Sequence, residues 1–217
     1  MTPEKRKQAT EKFLAEEGIA FNTGLPCTES ASEIRLKSID DICKRAIAAL
    51  LSTQVAVELN EGHTKDAGFF VGLIDHFSVR DSLNQVEKRL LDGTCSKQDI
   101  TDIVWEYECY WSLVWALGLV ENITDADSIC DCKTAINLVS QCESFEDFKS
   151  GCSLRSADEI LDMLDLYYRY HWAVVQKRIV PDTPIGDLEG EVVYERRRGL
   201  EWLVCDTEDW YDISLDT

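Results

Sequence analysis

The chain has 217 residues, 41 of them acidic and 22 basic, with a formal net charge of −19. Hydrophobic residues make up 45% and charged residues 29%, a balance that argues against disorder and lets one domain bury its core without disulfides or metal. So negative a field repels phosphate backbones and anionic lipid, which argues against nucleic-acid binding and against adsorption to a membrane.

In chain order, Pro3 to Glu17 reads as a polar N-terminal helix within residues 1–18, with Pro in its first turn and Gly18 as the stop. A loop follows from Ile19 to Ser32. Ser38-Ile39-Asp40-Asp41 opens a helix from Ile39 to about Leu59, with Ile42, Ala46, Ala49 and Leu50 on its buried side. Shorter helices are expected from Asp66 to Phe77 and from Ser82 to Leu91. Ser96-Lys97-Gln98-Asp99 precedes a long helix from Ile100 to Leu119. Asp131 to Val139 and Phe145 to Lys149 read as short helices. Ser156-Ala157-Asp158-Glu159 opens the next long one, Ala157 to Ile179. In these three Ser-led signals the hydroxyl can accept from a free N–H of the first turn, and the acid favours the positive end of the helix. VPDTPIGDLEG, residues 180–190, is a loop, and Glu191 to Val204 is the last helix. The acidic tail, residues 205–217, carries Trp210 and Ile213 and is expected to dock on the body. No alternating pattern of strand length and no repeat occurs. The expected fold is mostly α: a single globular multi-helix domain over residues 1–217, with about seven to nine helices and few or no strands.

The helix from Ile100 is apolar nearly all round from Trp105 onward, the mark of a buried helix. Glu106 and Glu108 then lie at its polar end or inside it, where a carboxylate needs cations or donors, or takes up a proton. The helix from Ala157 carries Asp162, Asp165, Arg169 and Gln176 on one face, and Asp165 and Arg169 can pair one turn apart. In the last helix Arg196 falls on the apolar stripe of Val192, Leu200 and Leu203. That makes it a candidate buried guanidinium held by carboxylates. Glu195 lies one turn from Gly199, which leaves room beside it, whereas Arg197 and Glu201 read as an exposed pair. The candidate polar cluster is therefore Glu106, Glu108, Asp165, Arg169, Glu195 and Arg196, with Glu106 or Glu108 expected to join the other four in one network. His171 sits near it among Tyr167, Tyr168 and Val175, as a core histidine or a proton-transfer group. The cluster reads either as a structural ion network or as a ligand or acid–base site.

No Glu-x-x-His pair, His-Glu-x-x-His helix, Walker loop, Gly-x-Gly-x-x-Gly or Gly-x-Ser-x-Gly is present, so no metal and no cofactor is expected. The nine cysteines are odd in number and scattered from Cys27 to Cys205. Cys130, Cys132, Cys142 and Cys152 lack zinc-finger spacing and read as small buried thiols. The opening stretch has no apolar core of a signal peptide, and the most apolar run, Cys109 to Val120, is shorter than the ~20 residues needed to span a bilayer. The expected location is cytoplasmic, with reduced thiols.

Several blocks also resemble, in order, a bacterial family known as domain of unknown function 4272. They are Trp105-Glu106-Tyr107-Glu108 with Leu113-Val114-Trp115-Ala116-Leu117-Gly118, then Asp165 to Ala173, Val192 to Leu203, and Trp210 to Thr217. The resemblance runs from about Ile19 to the end. It implies no activity, and its blocks fall on the same Glu, Asp, Arg and His residues. The functional expectation is a non-enzymatic protein that acts by binding a partner, a basic protein being the one its charge suits. The alternative is an enzyme or small-ligand binder using the Glu/Asp/Arg cluster.

Overall fold

The computed structural model describes residues 1–217. It contains nine α-helices: α1 (Pro3–Glu16), α2 (Ile39–Asn60), α3 (Thr64–His76), α4 (Gln85–Leu91), α5 (Lys97–Ala116), α6 (Cys132–Ser140), α7 (Phe145–Ser150), α8 (Ala157–Ile179) and α9 (Gly190–Val204). Short 3-10 turns at Arg80–Ser82 and Trp210–Asp212 complete it, and there is no strand. The mostly α fold of one globular domain is as expected. No helix is long and apolar enough to cross a membrane.

All three serine caps form. Ser38, Ser96 and Ser156 accept from the amides of Asp41, Asp99 and Glu159 at 3.1, 3.1 and 3.3 Å. At Ser96 and Ser156 the acid also accepts from the cap's own N–H, closing a capping box.

Three boundaries, in two helices, lie three residues from expectation, and the others lie within two. The helix placed at Ser82 starts at Gln85, because Asn84 and Glu87 form a capping box there and Arg80–Ser82 is a separate 3-10 turn. The second long helix starts earlier, at Lys97, and stops at Ala116 instead of Leu119. Gly118 takes φ +75° and the following segment claims the helix's last carbonyls. Ser153 and Arg155 donate their amides to Leu117 O and Ala116 O, both at 2.8 Å, and Arg155 Nε donates to Trp115 O at 2.9 Å. Carbonyls left free at a helix end are thereby satisfied.

The helices pack in the spatial order α3, α2, α5, α9, α8, α1. α5 lies in the middle of this series, so Tyr110, Leu113, Val114 and Trp115 are all buried. α2 meets it on the face of Ala46, Ala49 and Thr53, whose hydroxyl donates to Ile103 O at 3.1 Å, in one continuous core. α5 and α9 approach closely at Gly199, where an added Cβ would lie 2.7 Å from Cys109 O. In the C-terminal segment, Trp210 is fully buried and its ring lies over the Arg45 guanidinium at 4.3 Å.

Candidate functional site

Glu106, Glu108, Asp165, Arg169, His171, Glu195 and Arg196 are all buried. They do not converge. The structure distributes them over five centres, which corrects the expectation of one network. The reason is helical geometry: two residues along a helix are roughly 200° apart around it, so Glu106 and Glu108 face opposite ways.

Glu106 faces α2 and α4. It accepts from Asn84 Nδ2 at 2.9 Å and lies beside Glu87 and Arg45. Arg45 grips Glu87 with both terminal nitrogens, one at 2.8 Å, and also donates to Ser82 O. Burial first, then the Glu87 charge, holds Glu106 well above the usual carboxylate range, against the pull of Arg45. The Tyr211 hydroxyl stands next to it, pushed up by burial and by Glu106.

Glu108 faces α9. Arg196 Nε donates to its Oε2 and the Cys130 amide to its Oε1, both at 2.7 Å. Arg196 Nη1 reaches Asp125 O at 2.6 Å and the Tyr167 hydroxyl at 3.1 Å, and Nη2 reaches Ser128 O at 3.3 Å. One guanidinium thus ties α5, α8 and α9 to the segment 123–130, and every group around it is an ordinary donor or acceptor.

Arg169 pairs with Asp165 through two bonds of 3.0 Å and lies 3.5 Å from Glu11 of α1. The polar face of α8 is thus partly covered by α1. Arg6, also fully buried, holds Asp162 and Asp158 of that face at 2.7 and 3.0 Å.

Glu195 accepts from Arg198 Nη1 at 2.8 and 2.6 Å and from the Cys109 thiol at 3.2 Å. Its pKa is raised by burial, which Arg198 opposes. The room left by Gly199 is filled by the α5 backbone.

His171 receives Arg197 Nη1 on its Nδ1 at 2.6 Å, and Arg197 also binds Glu201 at 3.2 Å. An arginine is always protonated, so Nδ1 is the acceptor and the imidazole is the neutral Nε2–H tautomer. Burial, then Arg197 and Arg178, pushes its pKa down to about 4. Arg197 is buried, which corrects its reading as half of an exposed pair: Tyr168 and the C-terminal segment cover it.

None of these seven side chains lines the principal clefts. A polar cleft of about 510 Å³ stands on Arg45 and Asn84, with Lys37, Lys44 and Lys88 facing Asp41, Asp81, Glu208 and Asp209. A groove of about 420 Å³ between α1 and α8 has Phe13, Trp115, Met163 and Leu166 in its floor and Glu159 and Asp162 on its edge. An adjoining hollow of about 240 Å³ shares Phe13 and Thr124 with the groove and carries Glu17, Asp125, Asp127 and Asp187 with no cation. Glu58, Glu61 and His63 bring ligand atoms within 4.8 Å of one another on an open surface, an arrangement exposed acids often adopt without an ion. All nine cysteines are free.

The family described as domain of unknown function DUF4272 matches residues 6–213. The chain belongs to the DUF4272 family. No curated protein and no solved structure matches it.

Sequence reasoning passed over several buried charges of this DUF4272 chain. Arg45 lies three residues from Ile42 and four from Ala49 on the apolar stripe of α2, the same signal that singled out Arg196. Glu87 was hidden by the misplaced start of α4, although Asn84-x-x-Glu87 is a capping-box spacing. Arg6, Thr10 and Leu14 repeat every four residues on α1 and are its buried stripe.

Proposed function

We propose that this DUF4272 protein performs no chemistry of its own and acts by binding a basic protein through its acidic exterior. One observation carries the reading. Six arginines and five acids are buried, so more than a quarter of the 22 basic residues are spent inside, while 27 of the 41 acids are exposed and nine more are partly so. The interior is close to neutral, and the excess negative charge is presented to solvent, where it steers and selects cationic partners. The seven candidate residues support the same reading. None of them lines a cleft where a substrate would enter. The setting we assign is a bacterial cytoplasm, supported by nine unpaired thiols and by the family resemblance.

The test is affinity capture at low salt, identification of what elutes as salt rises, and recombination of the purified pair in a calorimeter. The expected result is a basic protein bound at one to one, its affinity falling about tenfold or more between roughly 50 and 300 mM salt. Purified partners that bind without salt dependence overturn the reading.

A second reading rests on the 510 Å³ cleft, whose floor residues Arg45 and Asn84 touch the Glu87/Glu106 pair. It makes the protein a binder of a small polar molecule. Stabilisation by a polar metabolite, lost in Lys88→Ala and Lys44→Ala, favours it over the first.

A further inference from the structure

The acid excess alone does not say where a basic partner sits. Two apolar openings compete for that role. The hollow of about 210 Å³ between α2, α3 and α6 exposes Phe69, but no carboxylate or cation lines it. The α1/α8 groove is different. Its floor is apolar, Glu159 and Asp162 stand on its edge, and it runs at Phe13 and Thr124 into the hollow of Glu17, Asp125, Asp127 and Asp187.

The groove's one guanidinium, Arg6, is buried and already committed to Asp158, Asp162 and Glu29 O. No cation of the chain neutralises the four carboxylates of the hollow, since none of them takes part in an ion pair. Apolar surface framed by polar residues marks an interaction site. Apolar surface flanked by unpaired negative charge fits a segment that carries both apolar and cationic side chains.

We propose that the α1/α8 groove, together with the adjoining acidic hollow, is the docking site for an amphipathic basic helix of the protein partner. This rests on the basic-partner reading above and adds its location and the partner's form. Apolar side chains one turn apart on the incoming helix lie along Phe13, Met163 and Leu166, as in other helix-in-groove complexes. Its lysines or arginines reach the unpaired Asp125, Asp127 and Asp187 at one end; at the other, Glu159 and Asp162, already paired with Arg155 at 3.4 Å and with Arg6 at 2.7 Å, add negative potential. The apolar floor supplies affinity, and the two acidic ends set direction and reject acidic segments.

The probe is a fluorescent amphipathic Leu/Lys peptide of roughly five helical turns, alongside a scrambled peptide of the same composition and a Leu/Glu analogue. Three variants accompany it. Ala9→Trp fills the groove from an exposed position of α1. Asp125→Lys/Asp127→Lys/Asp187→Lys reverses the hollow. Glu61→Lys/Asp66→Lys/Asp92→Lys makes the same charge change at exposed positions that line none of these openings. Met163→Glu replaces Ala9→Trp if circular dichroism shows that the latter does not fold.

The expected result is anisotropy binding of the amphipathic Leu/Lys peptide, weakened about tenfold or more by the groove and hollow variants and less than about threefold by the control. Equal loss in both triple variants, or none on filling the groove, overturns the groove while leaving a basic partner in place. Absence of binding by either cationic peptide overturns both. A dimer in sedimentation that Ala9→Trp dissociates makes a second copy of the chain the occupant and overturns the proposal.

Discussion

Arg196 of α9 and Glu108 of α5 form a buried ion pair at 2.7 Å, and the same guanidinium binds three carbonyls of the segment 123–128 and the Tyr167 hydroxyl. The sequence singled out both residues, yet their partnership is a property of how α5 and α9 cross.

Truncating one partner strands the other. Arg196→Ala is expected to lower stability by about 3–5 kcal/mol, because Glu108 is left charged and buried with one amide donor. Glu108→Ala/Arg196→Ala is expected to cost clearly less than the two single losses added together. Urea denaturation of the four proteins checks this. An unchanged midpoint in Arg196→Ala, or strict additivity, overturns it.

The folded pKa of Glu106 lies above its unfolded one, because burial and the Glu87 charge disfavour its ionised form. The folded state holds the proton more tightly, so this group's contribution is full below the ordinary value of 4.5 and is lost as pH rises through the folded pKa. Glu106→Gln keeps an acceptor for Asn84 and removes the titration. Relative to the parent it is expected to be within about 1 kcal/mol at pH 5 and to gain stability towards pH 8. A difference that stays flat across that range refutes the assignment.

His171 titrates in the reverse sense. Its pKa is pushed from 6.5 down to about 4, so the folded state stays neutral where the unfolded chain binds a proton. Its contribution is present above pH 6.5 and is lost as pH falls towards 4. In NMR titrations its ring resonances should not move between pH 8 and 5. A midpoint near neutrality for His171 would reopen a proton-transfer role.

Gly199 sets the spacing of α5 and α9. Alanine there gains up to about 1 kcal/mol in helix propensity, but its Cβ would meet Cys109 O at 2.7 Å and Cys109 Cα at 3.1 Å. Backbone atoms do not rotate aside, so Gly199→Ala is expected to lose about 1–3 kcal/mol in urea denaturation, the usual range for overpacking. A variant more stable than the parent would mean that the helices separate freely.

The sequence by itself determined the helical class, the three serine caps and the burial of α5, and it singled out seven polar residues whose burial only the structure established. These follow from periodicity and from hydrogen bonds within one turn, which depend on neighbours a few residues away. It also placed Arg196 on an apolar stripe, and Arg45 lies by the same spacing on the stripe of Ile42 and Ala49. Only the tertiary structure decided which charges meet. Glu106 and Glu108 diverge around their helix, Arg197 is covered by Tyr168 and the C-terminal segment, and Arg45 finds Glu87 and Trp210 from distant parts of the chain. Partnership between side chains of different helices depends on helix rotation and crossing. Those are fixed by packing across the whole core, at contacts such as Gly199 against Cys109 that no local pattern encodes.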